Sequence, residues 1–248
     1  MTRRRFYAPP LAFSDNQQLV TLSADETRHL RDVLRLRKGD EAFVFDGEGK
    51  EFRAAISEVE RQAATLRINE EVSPASPESP LRFTLAVALL KGEKFDVVVQ
   101  KATELGISTV VPLITLRADV RIHNPEDAQR KQARWQRLAL EAAKQCGRAR
   151  LMKIAEPISF DKFVARDAGD ELRLMFSERG GNSLADRMAE RSSVTAIVGA
   201  EGGWTDEEIE RARAAGWRIV TLGGRTMRAE TAAIAVAALI QHALGDLR

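Results

Sequence analysis

The sequence holds one cysteine and three histidines among its 248 residues. A single cysteine excludes a disulfide within the chain, and so few cysteine and histidine side chains argue against a zinc site built from them. We therefore expect no metal ion. Cys146 falls on the apolar face of a predicted helix, where packing is a commoner role for cysteine than nucleophilic catalysis.

Long hydrophobic runs are also missing. No apolar stretch reaches the roughly 20 residues that a membrane-spanning helix needs, and the arginine-rich start is not followed by the apolar core of a signal peptide. From these absences we expect a cytoplasmic protein without a membrane partner.

Several enzyme signatures are absent as well. The sequence has no G-x-x-x-x-G-K-[ST] phosphate loop, no G-x-S-x-G elbow and no H-E-x-x-H motif. No G-x-G-x-x-G follows the first strand of its second half. These absences disfavour P-loop nucleotide hydrolases, α/β-hydrolases, zinc proteases and Rossmann-type dinucleotide or methyl-transfer enzymes.

The charges that are present are unevenly distributed, although the net charge is only +2. Residues 117–153 hold ten Lys and Arg against four Asp and Glu, and the first forty residues hold eight against five. Such local excesses of positive charge are typical of surfaces that contact nucleic acid.

A Pro/Ser-rich stretch divides the chain. Residues 73–80 contain three prolines, which neither a strand nor a helix continues, so we expect an extended linker there. Residues 1–72 have the pattern of a small β-rich domain, and residues 81–248 alternate strands and helices as an α/β domain does.

The small domain begins with a helical pattern. Ser23 and Glu26 have the spacing of a capping box. His29 lies among four arginines, so this helix is either an RNA-binding surface or an ordinary solvated face, and the sequence leaves both open. Three strands are predicted near 41–46, 51–59 and 63–69.

The second domain has five predicted strands and a long helix at 126–146 with one apolar and one basic face. The final helix, Glu230–Leu244, is apolar on nearly all sides, which predicts burial in the core or against a partner subunit. The strands are Leu81–Leu90, Ser108–Thr115, Leu172–Phe176, Val194–Val198 and Trp217–Leu222.

Two glycine-bearing loops, residues 199–204 and 222–231, each follow an apolar strand and precede a helix. Ligands of open α/β sheets bind outside the carboxyl ends of such strands. Thr205 and Glu208 form a second capping box, whose acids argue against a phosphate at that helix start. The residues alone predict a small-molecule pocket for a ligand that is not strongly anionic, beside a basic surface that acts on RNA.

Together these loops resemble those of the RsmE family, the rRNA uridine N3-methyltransferases of the knotted SPOUT superfamily. The resemblance covers nearly the whole chain, with two departures: Ala200 stands where the family has Pro, and Ala229 where it has Thr. The matching segments are 29–35, 39–40, 91–92, 100–106, 134–135, 141–148, 199–204 and 222–232.

The resemblance implies a C-terminal SPOUT α/β domain with a deep trefoil knot, an N-terminal PUA-like β-barrel, a homodimer and 16S rRNA of the small ribosomal subunit as substrate. It also implies S-adenosyl-L-methionine as cofactor. The residues that the family pattern assigns to the cofactor are Phe176, Ser177, Glu178, Ile197, Gly199, Glu201, Gly202, Gly203, Leu222, Gly223, Met227, Arg228, Thr231 and Ala232.

For catalysis, Arg228 is expected to stabilise the anion that develops on uracil, and Glu201 or Glu230 to accept or orient the N3 proton. An ion pair that merely fixes the loop is the alternative for Arg228 and Glu230. The candidate RNA contacts are Arg3, Arg4, Arg5, Arg28, His29, Arg31, Lys91, Lys94, Arg117, Arg134 and Arg148.

Two other functions stay open at this point. One is a knotted ribose 2′-O-methyltransferase, although its usual Ser/Asn-rich final motif is replaced here by residues 228–232. The other is a ribosome-assembly protein that binds RNA with a vestigial pocket, against which the two intact loops argue.

Overall fold

The computed structural model describes residues 3–167, 169–184 and 191–247. The chain forms two compact units. The first comprises Met1–Glu78 and Ala143–Leu151, and the second Ser79–Ala142 and Met152–Arg248. The break between Glu78 and Ser79 falls inside the predicted linker.

The first unit is built on a five-stranded sheet in the order β1-β3-β4-β5-β2. Only β1 and β3 pair in parallel, and the other neighbours are antiparallel. One face of the sheet packs on a core that includes Phe6, Leu30 and Leu66. The strands are β1 (Arg5–Tyr7), β2 (Leu19–Leu22), β3 (Glu41–Phe45), β4 (Glu51–Val59) and β5 (Ala64–Val72).

The helical segment of this unit differs in part from its prediction. Ser23 does cap α1 (Ala24–Arg28), since its side chain accepts a hydrogen bond from the Glu26 amide. The reciprocal half of the capping box is replaced, because the Glu26 carboxylate accepts from Lys144 Nζ at 2.6 Å and from the Tyr7 amide. The chain then continues as a π-helical turn, residues 29–33, and ends without a regular helix.

A buried ionic cluster explains why residues 143–151 belong to the first unit. The Arg5 guanidinium donates to both carboxylate oxygens of Glu51, which is fully buried, and to the carbonyls of Ala143 and Arg148. Arg148 in turn pairs with Glu78 at 2.8 Å. Both arginines are more than nine-tenths buried, so the prediction that they contact RNA is wrong: their charges are used inside the protein.

The predicted spacer is also tied down. The Ala75 amide donates to Glu51, and the Ser76 hydroxyl donates to the carbonyl of Cys146. Residues 73–80 are irregular, as predicted, but residues 73–78 are attached to the first unit rather than extended away from it.

The second unit contains a seven-stranded parallel sheet in the order β12-β10-β11-β6-β7-β8, with β9 also paired to β7. The strands are β6 (Arg82–Ala88), β7 (Thr109–Ile114), β8 (Lys153–Ile154), β9 (Ile158–Ser159), β10 (Leu172–Phe176), β11 (Ser193–Val198) and β12 (Arg218–Val220). The helices are α2 (Lys94–Glu104), α3 (Pro125–Cys146), α4 (Phe160–Val164), α5 (Asp206–Ala214) and α6 (Ala229–Leu244).

Helices cover both faces of this sheet. Phe95 of α2, Trp135 of α3 and Ala233 of α6 pack in one core, whereas Phe160 of α4 and Ile209 of α5 pack in the other. The predicted strands and helices are confirmed, and β10 has the predicted bounds. The α/β class of this domain is therefore confirmed.

Helix α6 is buried on one side only. Val236, Ala237 and Ile240 are almost fully buried in the core, but Leu239 is 43% exposed. The prediction that this helix packs into the core is confirmed for that side. The knot stays a prediction, because the connection between β10 and β11 includes residues 185–190, which lie outside the described residues.

Candidate functional site

A cavity of about 390 Å³ opens at the carboxyl ends of β10, β11 and β12. This is the edge where the strand order places loops for a ligand. Its lining residues are Phe176, Ser177, Glu178, Val198, Gly199, Ala200, Glu201, Gly203, Trp204, Thr221, Leu222, Gly223, Gly224, Arg225, Thr226, Met227, Arg228, Ala229, Ala232 and Val236.

The first glycine loop, residues 199–204, is braced from inside. Trp204 is 3% exposed and donates its indole N–H to the carbonyl of Phe176 at 2.8 Å. A Cβ at Gly199 would lie 3.1 Å from the Trp204 ring, so the loop passes over the ring without space for a side chain. The following helix α5 starts with the predicted capping box. The Thr205 hydroxyl accepts a hydrogen bond from the Glu208 amide, and the Glu208 carboxylate accepts one from the Thr205 amide.

The same loop is also held from outside. Arg117 donates to the Gly202 carbonyl at 3.0 Å, and a Cβ at Gly202 would lie 2.9 Å from Arg117 Cβ. Lys94 Nζ pairs with Glu201 Oε1 at 2.6 Å. This loop is therefore held by three separate contacts, of which the Arg117 bond reaches its main chain.

The pairing determines the charge of Glu201. Burial alone would raise the pKa of its carboxyl, but the hydrogen bond and the charge of Lys94 outweigh burial and hold the pKa below its ordinary value. Glu201 is thus an ionised carboxylate at the cavity. A carboxylate with a lowered pKa is a weaker base, so the geometry favours orientation of a proton donor over proton removal.

The second glycine loop, residues 222–228, is open. Gly223 and Gly224 have φ of +72° and +74°, and a Cβ at either would meet no atom within 4 Å. Arg225 and Arg228 are exposed, and within the described residues their side chains make no hydrogen bond or ion pair. Two guanidinium groups therefore face the cavity with their donors available.

Most of the predicted cofactor residues lie together around this cavity. They are Phe176, Ser177, Glu178, Gly199, Glu201, Gly203, Leu222, Gly223, Met227, Arg228 and Ala232. Ile197, Gly202 and Thr231 do not line it. Successive side chains of a strand point to opposite faces, and Ile197 packs in the core of the other face while Val198 reaches the cavity.

The two glutamates proposed for catalysis differ in position. Glu201 lines the cavity, whereas Glu230 does not. Glu230 Oε2 is buried and, within the described part of the chain, has no hydrogen-bond partner. Nor does Arg228 pair with it, so the alternative in which these two residues form a loop-fixing ion pair does not hold in this structure.

Sequence reasoning missed nine lining residues. Two of them have a pattern that identifies them: Ala229 and Val236 lie on the same face of α6 as the predicted Ala232, at helical spacing. The others adjoin predicted residues in the two loops. The full set is Val198, Ala200, Trp204, Thr221, Gly224, Arg225, Thr226, Ala229 and Val236.

The remaining RNA candidates fall into two groups. In the first unit, Arg4, Arg28 and Arg31 are exposed or partly exposed, His29 is half-buried, and Arg3 pairs with Glu51 at 3.2 Å. In the second unit, Lys91 and Arg117 are exposed near the first glycine loop, Lys94 is half-buried there, and Arg134 pairs with Asp96.

Neither a membrane span nor a metal cluster is found among the residues that the structure describes. No described helix is long and apolar enough to cross a bilayer. No group of three or more metal-ligating side chains occurs in the same residues.

Two family models match the chain. The model of the RNA methyltransferase domain matches residues 77–241, and that of the RNA methyltransferase PUA domain matches residues 22–69. The chain belongs to the RNA methyltransferase family. Its first described unit thus contains the PUA domain of such an enzyme, and its second the methyltransferase domain.

Among curated relatives of this RNA methyltransferase is the ribosomal RNA small subunit methyltransferase E of Synechocystis. It is 39% identical over 218 residues, which cover 86% of this chain and 69% of the relative. The predicted membership of the RsmE family is confirmed by this likeness.

Two solved structures match over nearly the whole methyltransferase. A putative methyltransferase from Legionella pneumophila, in complex with the bound cofactor SAM, has a TM-score of 0.91 and 34% identity, and each chain is covered completely. The ribosomal RNA small subunit methyltransferase E of Neisseria gonorrhoeae, bound to S-adenosyl methionine, has a TM-score of 0.90 and 33% identity and covers 99% of this chain and 100% of its own. The predicted SPOUT-type fold with an N-terminal PUA-like domain is confirmed.

Proposed function

We propose that this RNA methyltransferase transfers a methyl group from S-adenosylmethionine to N3 of a uridine in 16S rRNA of the small ribosomal subunit. The observation that carries the proposal is the cavity between the two glycine loops, at the carboxyl edge of a sheet shared over its whole length with relatives that bind this cofactor. A ribosomal substrate also implies a reaction in the cytoplasm.

The residues of the cavity fit S-adenosylmethionine. Leu222, Met227 and Val236 offer an apolar surface for the adenine ring. The glycines expose main-chain amides and carbonyls that hydrogen-bond a purine edge. The carboxylate of Glu178 lines the cavity too, and within the described residues it has no hydrogen-bond partner, so it is available to a cationic group of the cofactor. When bound, the cofactor supplies an electrophilic methyl group on a sulfonium.

The protein residues then act on the uracil. N3 must lose its proton as it forms the bond to the methyl carbon, and negative charge develops on the two uracil oxygens. Arg228 presents an uncommitted guanidinium at the cavity, which suits stabilisation of that charge. Glu201 is paired with Lys94 and ionised before the substrate arrives, and a carboxylate at this place suits orientation of the N3–H group.

RNA is proposed to approach over the exposed cations. Lys91, Arg117 and the partly exposed Lys94 lie beside the cavity-lining loop. The first unit adds the exposed Arg4, together with Arg28 and Arg31, which pair with Asp25 and Asp32. Contacts between lysine or arginine and phosphate release counterions, so RNA affinity should fall steeply with salt. A flat salt response would count against this surface.

The test is methyl transfer with identification of the product. Labelled S-adenosylmethionine is incubated with the protein and unmodified small subunits, and the digested RNA is analysed by mass spectrometry. Recovery of 3-methyluridine supports the proposal. A 2′-O-methylated nucleoside moves the protein to the ribose-methylating branch, and binding of cofactor and RNA without transfer favours an assembly role.

We also propose that the protein is a homodimer. Leu239 and Ala243 of α6 are exposed beside Leu184 and Leu222, around a second cavity of about 340 Å³. An exposed apolar helix face of this kind is typical of a subunit interface. Sedimentation analysis should give a dimer that Leu239→Glu converts to a monomer, and a monomeric wild-type protein would contradict the proposal.

A further inference from the structure

Two lysine–carboxylate pairs stand side by side near the cavity. Lys91 Nζ lies 2.7 Å from Asp119 Oδ2, and Lys94 Nζ lies 2.6 Å from Glu201 Oε1. The lysines belong to the loop and first turn that follow β6, and Asp119 to the loop that follows β7. All four residues thus lie at the carboxyl edge of the parallel sheet.

The two pairs interact with each other. The charge of Asp119 acts on Glu201 and opposes the lowering of its pKa, and the charge of Glu201 contributes to the raised pKa of Lys91. The hydrogen bond between Lys91 and Asp119 is the largest cause of the raised pKa of one and the lowered pKa of the other. The four groups form one electrostatic unit.

Stability does not explain the outer pair. The side chains of Lys91 and Asp119 are 63% and 59% exposed, and exposed ion pairs contribute little to folding because of solvent screening and lost side-chain entropy. The pair does fix the position of a lysine ammonium next to the loop of Arg117, which itself contacts the cavity-lining loop through Gly202. An ammonium held in this way is preorganised for another anion.

A phosphate oxygen can replace each carboxylate oxygen. Both are anionic acceptors that take the same short, charge-assisted hydrogen bonds from lysine. We propose that Lys91–Asp119 and Lys94–Glu201 form an exchange site for RNA backbone phosphates, in which the carboxylates hold the lysines until phosphates replace them. The proposal rests on the proposed function, since it takes RNA as the ligand.

The exchange has a consequence at the cavity. When a phosphate takes Lys94, Glu201 loses its partner while it still lines the cavity, so RNA docking changes the charge environment at the place of reaction. Asp119 opposes RNA binding in the free protein, because its pair with Lys91 must open first.

The experiment measures affinity for a fluorescently labelled fragment of small-subunit rRNA by anisotropy, without cofactor, over a range of salt concentrations. Asp119→Asn should tighten binding by about two- to fivefold at low salt, with a gain that shrinks as salt screens the pair. Lys91→Met should weaken binding and reduce the slope of log affinity against log salt by about 1.

Two control variants separate exchange from simpler effects. Glu93→Gln removes an exposed acid from the loop of the two lysines, where the described residues give it no ion pair, and so reports the change in net charge alone. Asp170→Asn breaks a pair with Arg191 of 2.6 Å at the amino end of the strands and should leave RNA affinity unchanged. The gain in RNA affinity caused by Asp119→Asn must exceed the changes caused by both control variants.

The double variant, Lys91→Met with Asp119→Asn, distinguishes phosphate exchange from a simple change in net charge. In a Lys91→Met background, Asp119→Asn should tighten binding no more than Glu93→Gln does, because the lysine that it frees is gone. An equal gain with and without Lys91 would overturn the proposal, as would no gain at all. Lys91→Gln repeats the cycle if Lys91→Met unfolds. Absence of 3-methyluridine alongside an intact cycle would refute the proposed reaction and leave the phosphate site standing.

Discussion

The two glycine loops around the cavity differ in how they are held. The first, residues 199–204, is fixed by the Trp204 indole, by Arg117 on Gly202 and by the Lys94–Glu201 pair. The second, residues 222–228, has two glycines with open space around them and two exposed arginines. One wall of the cavity is therefore built in advance, and the other has side chains available to a ligand.

This contrast suggests a division of roles. The Trp204 and Arg117 contacts keep the first loop, and with it the cofactor, in a constant position, including when RNA draws Lys94 away from Glu201. A loop with uncommitted guanidinium groups provides the charge that the reaction requires. Four sets of substitutions test the comparison, and their expected effects decrease in the order given.

Removal of the Trp204 ring, which holds the first loop in place, should have the largest effect on stability. Trp204→Ala deletes a ring that is 3% exposed and packs against Phe160, so the free energy of unfolding should fall by about 3–5 kcal/mol. Urea denaturation measures the change. Trp204→Phe keeps most of the ring but loses the bond to the Phe176 carbonyl and should cost about 1–3 kcal/mol. Equal losses for both variants would show that packing does not contribute.

Loss of the open guanidinium should affect catalysis without affecting stability. Arg228→Ala should lower kcat by about 10²- to 10³-fold, as removal of one group that stabilises a developing anion does elsewhere. The affinity for S-adenosylmethionine, measured by calorimetry, should stay close to that of the wild type. Arg225→Ala is the matched control in the same loop. Normal turnover by Arg228→Ala with intact cofactor affinity would remove the electrostatic role.

Replacing one glycine of each loop by alanine tests how much free space surrounds the two loops. At Gly202 it would lie 3.1 Å from the Arg117 carbonyl oxygen, so Gly202→Ala should cost about 1–3 kcal/mol. At Gly223 it would meet no atom within 4 Å, which leaves only the positive φ, at about 1–2 kcal/mol. Because Gly202 needs no positive φ, its loss comes from the contact with Arg117. Arg117→Gly removes the Cβ that would lie 2.9 Å from the added methyl, so it should reduce the cost of Gly202→Ala and leave that of Gly223→Ala unchanged. A uniform effect on both would contradict the contrast.

The smallest expected effect concerns pH. The pKa of Glu201 is lower in the folded protein than its ordinary value of 4.5, so the unfolded chain binds more protons between the two values. The stabilisation by the pair is thus complete above about pH 4.5 and is lost as the pH falls through the folded pKa. Glu201→Gln should remove less than about 1 kcal/mol of this dependence. Lys94→Met should do the same, and an unchanged dependence would show that Lys94 is not the cause.

The sequence was sufficient to locate the parts of the site that depend on short residue patterns. Glycines directly after apolar strands located both loops, whereas residues 176–178 at the end of β10 came from the family resemblance. The sequence did not show which side chains of β11 face the cavity. Every residue of that strand is buried, so its pattern does not indicate that Val198 rather than Ile197 faces the cavity.

Long-range pairing was also beyond the sequence. Arg5 and Arg148 are basic residues in basic stretches, which suggested RNA contacts. Their actual partners are far away along the chain, and the bond from Arg5 to the Arg148 carbonyl spans 143 residues. The same limit applies to Lys94 and Glu201, separated by 107 residues, whose pairing explains the charge of a residue that was predicted only as a catalytic candidate.

The most direct test of this account is a crystal structure of the protein grown with S-adenosylmethionine. The account predicts the adenosine between the two loops, against Leu222 and Met227, with the first loop unchanged and any movement confined to residues 222–228. Cofactor density elsewhere, or a first loop that rearranges while the second stays fixed, would contradict it.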